Sequence, residues 1–103
     1  MLAILQDKVM VSIVYASSLD YFVMGELRSK DIQHYTKWEE VFGEGQHSIP
    51  HLDSHVWPGI NFMLALFVDL PQQETIFRIV EDLKDQFPQD GIKAFAFPLL
   101  KST

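Results

Sequence analysis

The chain has 103 residues, 48% of them hydrophobic, and no cysteine; this suits one domain with a modest core and excludes a disulfide framework, a thiolate metal site and a cysteine nucleophile. Fourteen acidic against eight basic residues give a formal charge of -6, and the basic ones are scattered, a field that repels phosphate backbones and argues against nucleic-acid binding. The opening Met1-Leu-Ala-Ile-Leu5 has no basic residues before it, and the longest apolar run, Phe62 to Val68, is far too short to span a bilayer, so a cytoplasmic protein with no membrane insertion is expected.

The elements follow in chain order. Val9 to Ala16 is a β-rich apolar run that predicts a buried strand, with Ser17-Ser18 as the N-cap of a helix. In that helix Leu19, Phe22, Val23 and Leu27 recur at spacings of three and four, and it ends near Lys30-Asp31. From Gln33 to Val41 a period of two, rich in Tyr, Thr, Trp and Val, predicts a half-buried second strand. His34 reads as a surface or edge-strand histidine. Ile60 to Val68 is nearly continuous in apolar residues, as in a central strand. Pro71 then suits a helix start, with Asp69 before it and Ile76, Ile79, Val80, Leu83 and Phe87 as its apolar stripe. Pro88 to Gly91 is turn chemistry, and Ile92 to Phe97 alternates as a last strand, with Pro98 confining it to an edge or a strand end.

The order βαββαβ predicts an α+β, ferredoxin-like single domain over residues 1–103: a four-stranded antiparallel sheet, two helices on one face, and a long loop between strands two and three. The other face would carry residues such as Trp38, Phe62 and Phe95 or their neighbours, which is too apolar for water and predicts a homo-oligomer.

Three of the four histidines lie in that loop, at His47, His51 and His55, with Asp53 among them and neither Lys nor Arg nearby. Whether the segment is extended or helical, His51 and His55 share a side, so His47, His51, Asp53 and His55 are the candidate ligands for a divalent cation such as Zn²⁺ or Cu²⁺. Against this, loop histidines often stay solvated, and no HExxH signature is present. The same histidines would also suit a pH-sensitive loop. Trp57-Pro58 reads as an anchor where the loop rejoins the sheet. Ser12, Ser17 and Ser18 lack the context of a catalytic serine, and no catalytic residue is assigned.

Thr36-Lys37-Trp38-Glu39-Glu40-Val41-Phe42-Gly43, His55-Val56-Trp57-Pro58-Gly59 and Lys93-Ala-Phe-Ala-Phe-Pro98, with the position of the long loop, resemble the PII-like signalling proteins over roughly residues 8 to 100. The resemblance implies a homotrimer with sheets packed around a three-fold axis and clefts between subunits that often bind adenine nucleotides. It also implies a T-loop, here residues 43–57, that contacts a membrane transporter or an enzyme. Phe42, Gly43, Glu44, Gln46 and Lys93 are then the ligand-binding candidates, with Trp57 and Pro58 on the partner-contacting loop. Two departures speak against the usual nucleotide site: Glu44 stands where nitrogen-type members have arginine, and Ile92 stands where a glycine precedes the lysine. The expected function is a regulatory sensor of a small effector or divalent cation, not an enzyme. The competing readings are a dimeric ferredoxin-like barrel monooxygenase using Asn61, His55 and Trp57, and a metal-binding trimer of the divalent-cation-tolerance type.

Overall fold

The computed structural model describes residues 5–41 and 60–103, with side chains from Asp7 onward. Its elements are β1 (Leu5–Ala16), a 3₁₀ turn (Ser17–Leu19), α1 (Asp20–Ser29), β2 (Tyr35–Val41), β3 (Asn61–Asp69), α2 (Leu70–Gln86) and β4 (Ile92–Leu99). The strands form one open antiparallel sheet in the order β2-β3-β1-β4. This is the expected βαββαβ arrangement.

Residues paired directly across antiparallel strands point to the same side, so the register separates the two faces. One face carries Val9, Val11, Ile13 and Tyr15 of β1 beside Val68, Leu66, Leu64 and Phe62 of β3. All but Phe62 are buried, in one cluster with Leu19, Val23 and Leu27 of the first helical segment and Ile76, Ile79, Val80 and Leu83 of α2. Both helices therefore cover this face. Phe62 or its neighbour was expected on the other one. Phe62 sets its ring edge-on to Tyr15 at 6.0 Å between centroids, and Met63 takes the opposite side. In a continuously apolar strand nothing local fixes the phase; pairing with β1 does.

The helix ends show how local chemistry sets the boundaries. Asp69 caps α2, accepting from the Gln72 amide at 2.9 Å while the Gln72 side chain accepts from the Asp69 amide at 3.2 Å, a reciprocal box with Pro71 in the first turn. The predicted Ser17-Ser18 cap makes no side-chain capping bond; a 3₁₀ turn leads into α1 instead. At the other end of α1, the Ile32 amide donates to the Leu27 carbonyl and the Asp31 amide to that of Arg28. Asp31 adopts φ 60°. This paired closure needs a left-handed residue, and Ile32 packs back into the core with Leu27. β1 begins at Leu5, earlier than the apolar run suggested, with an irregularity between Leu5 and Val9 opposite Pro98. Proline has no amide to donate, and β4 is an edge strand, as Pro98 required.

Candidate functional site

At one end of the sheet β1 and β2 terminate and β3 and β4 begin, since Ala16 and Val41 both pair with Asn61 and Tyr15 pairs with Ile92. Val41 and Ile60 are the described residues that flank the segment 42–59 at this end. Two bonds fasten the surroundings: the Ala16 amide donates to the Gly91 carbonyl at 2.8 Å and the Ser17 amide to that of Ile60 at 2.9 Å. Asn61, the one polar residue buried among those described, lies in the row beneath them.

Lys93 falls here. It is the second residue of β4 and is exposed on the face away from the helices, in a row with Val14, Met63 and Trp38. Its ammonium lies 6.0 Å from the Phe95 ring centroid. The topology thus brings this lysine to the sheet end from which residues 42–59 depart, although β3, α2 and the turn after it separate the two in sequence. The other sequence candidates, Phe42, Gly43, Glu44, Gln46, His47, His51, Asp53, His55, Trp57 and Pro58, lie outside the described residues. Among the described residues no group of three or more His, Asp or Glu is placed to hold a metal ion. His34 is exposed just ahead of β2.

On the helix-covered side of the same end the structure assembles a group that sequence reasoning did not single out. The buried Tyr15 hydroxyl donates to Asp20 Oδ1 at 2.7 Å, and Lys37 Nζ meets the same oxygen at 2.7 Å. Glu39 lies 4.0 Å from that ammonium, which is also 4.9 Å from the centroid of the Phe62 ring. Burial, and then the bond to the Asp20 carboxylate, push the Tyr15 phenol well above its ordinary value. A lysine on the core-facing phase of β2 was the available signal, because a charge there requires a partner. The partner itself comes from α1 and could be found only in three dimensions.

The face away from the helices is the larger feature. Trp38, Met63, Ala65, Phe67, Met10, Val14, Phe95 and Phe97 line it together with Thr36, Ser12 and Lys93. Its large aromatics stay well exposed, Phe67 at 59%, Phe97 at 47%, and Trp38 and Phe95 each at 45%. No helix among the described residues is long and apolar enough to cross a membrane.

No protein-family model matches the sequence, and no curated protein matches it. Solved structures do. A structure assigned as a PII-like signalling protein from Thermus thermophilus superposes with a TM-score of 0.60 at 27% identity, covering 89% of this chain and 86% of that one. CPII, a nitrogen regulatory PII-like protein from Thiomonas intermedia whose structure holds ADP, AMP and bicarbonate, matches at TM-score 0.65 and 14% identity over 93% of each chain. A DUF3240 family protein from Shewanella baltica matches at TM-score 0.66 and 6% identity over 94% of each. At the two lower identities the likeness is one of fold. With the β2-β3-β1-β4 sheet, both helices on one side and 27% identity over most of the chain to a structure assigned as a PII-like signalling protein, the chain is similar in fold and in sequence to the PII-like signalling proteins.

Proposed function

We propose that the protein is a cytoplasmic, homotrimeric PII-like regulator that senses a small effector or a divalent cation and signals to a protein partner through the loop 43–57. The observation that carries this reading is the likeness, at 27% identity over 89% of the chain, to a PII-like signalling protein. The exposed aromatic face supports assembly: Trp38, Phe67, Phe95 and Phe97 share a sheet face with Met10, Met63 and Ala65, an apolar surface of the kind monomers rarely leave in water, and in this reading its occupants are a second and third copy of the chain. Lys93, on that face at the sheet end flanking the loop, stands beside any cleft formed between subunits there. His47, His51, Asp53 and His55 are the cation ligands in this reading, with Phe42, Gly43, Glu44 and Gln46 at the base of the loop and Trp57 and Pro58 at its return.

A thermal-shift panel tests it. ADP, AMP, bicarbonate, ZnCl₂ and CuSO₄ are added singly, because a ligand that binds only the native state raises the unfolding midpoint, by about 2.7 kcal/mol at one hundred times its Kd. We expect bicarbonate or a divalent cation to raise the midpoint by about 10 °C at that excess, and ADP and AMP to act weakly because Glu44 and Ile92 replace the residues that suit a phosphate. The Zn²⁺ response disappears in a His51→Ala, His55→Ala double variant if those side chains are the ligands. A flat panel would overturn the sensor reading.

A further inference from the structure

The tie between Asp20 and Lys37 has a second property: it sits beside an irregularity in the β2–β3 ladder. Among the described residues β2 is an edge strand, bonded to β3 alone. Its ladder breaks between Trp38 and Val41, where three steps along β2 oppose two along β3 and Glu40 turns to φ 63°. Glutamate has no intrinsic preference for that left-handed conformation, so its surroundings must impose it. The last stretch of strand before residue 42 is thus short of ladder bonds and carries a strained residue. The residues around the bulge supply what the ladder lacks. Lys37 and Glu39, on one phase of the strand, are drawn to the same side: Lys37 Nζ reaches Asp20 Oδ1 at 2.7 Å and lies 4.0 Å from Glu39. The Lys37 side chain is largely shielded from water, and Asp20 is steadied in turn by the Tyr15 hydroxyl at 2.7 Å. With Lys37 and Glu39 committed to the helix side, the extra residue of the bulge has to be taken up at Glu40 for Val41 to meet Asn61.

We propose that Lys37 is a positioning residue for the exit of β2: pinned to Asp20 at the start of α1, it holds the bulge at Glu40 and thereby fixes the backbone direction at Val41. The pin joins the helix layer to the strand that precedes residue 42. Its consequence, that movement at the N-terminal end of α1 is passed to the partner-contacting segment, rests on the function proposed above; the pin itself does not.

Amide hydrogen exchange and backbone chemical shifts by NMR test the pin without any ligand or partner, so failure of the sensor reading would leave the result intact. In Lys37→Met, which keeps an apolar stem over Phe62, exchange across Trp38–Val41 and Asn61 speeds at least tenfold and the Glu40 shifts leave the left-handed range. Val11 and Leu66 in the core keep their wild-type rates. Asp20→Ala reproduces this pattern and Lys37→Arg restores the wild-type one. Unchanged exchange and Glu40 shifts in Lys37→Met would overturn the proposal, as would acceleration spread evenly through the core, which marks a general loss of stability.

Discussion

The two faces of this sheet are built from the same strands and differ in what covers them. On one, Val11, Ile13, Leu64 and Leu66 are fully buried under two helices; on the other, Phe67 remains 59% exposed and Phe97 47%. Alternation in β1 places Val, Ile and Tyr on the covered side, and Met10, Ser12 and Val14 on the open side. Both sides are apolar enough to seek cover, but the helices among the described residues lie on only one. An exposed apolar face of this extent is the surface on which the proposed assembly rests.

The sharpest contrast comes from changing one residue on each side. Leu66→Ala empties a fully buried site and should lower the unfolding free energy by about 2–5 kcal/mol, read by urea denaturation. Phe67→Asp, on the neighbouring residue, places a charge on the open face. It should weaken self-association by about 2 kcal/mol per subunit or more, seen by analytical ultracentrifugation as smaller species with an unchanged far-ultraviolet circular dichroism spectrum. If Phe67→Asp unfolds the chain as Leu66→Ala does and leaves assembly untouched, the open face is structural and the comparison fails.

Two smaller effects refine the covered side. The Tyr15 phenol is raised above its ordinary value by burial and by the Asp20 carboxylate. In the unfolded chain it loses its proton near pH 10, while in the folded chain it keeps it to higher pH. Above about pH 10 the unfolded state therefore binds fewer protons, and stability falls by up to about 1.4 kcal/mol per pH unit. Tyr15→Phe removes that part of the slope in denaturation curves collected between about pH 9 and 11, at the limit of the alkaline range. Gly25 lies exposed in the interior of α1, and an added Cβ would meet nothing within 4 Å. Gly25→Ala should add up to about 1 kcal/mol, measured as a rise in the denaturation midpoint. A loss instead would mean that this helix surface is closely approached by another molecule.

Much of this architecture was written in short-range patterns. The stripe Ile76, Ile79, Val80 and Leu83 is a helix wherever it packs, and Asp69 with Pro71 announced where α2 starts, because a cap answers only to its own first turn. Pro98 announced an edge or a strand end, since a missing amide cannot be hidden inside a ladder. Ser17-Ser18 misled because serine is equally suited to the 3₁₀ turn found there. Trp38 and Phe95 were expected on the open face and lie on it, and at the third position it is the neighbour of Phe62, Met63, that does so. The loop residues, histidines included, were marked by their composition, and of the candidate site only Lys93 lies among the described residues.

The sequence by itself determined the order of elements, the amphipathic helices and the need for a second apolar surface, since these depend on periodicity and side-chain chemistry within a few residues. Tertiary structure decided the phase of β3, the bulge at Glu40, and the meeting of Tyr15, Asp20 and Lys37. The physical reason is the same in each case. A continuous apolar strand has no preferred face until a neighbour pairs with it, and a lysine shielded from water demands a carboxylate without saying which. Only the register of β1, β2 and β3 and the landing of α1 above them answer both.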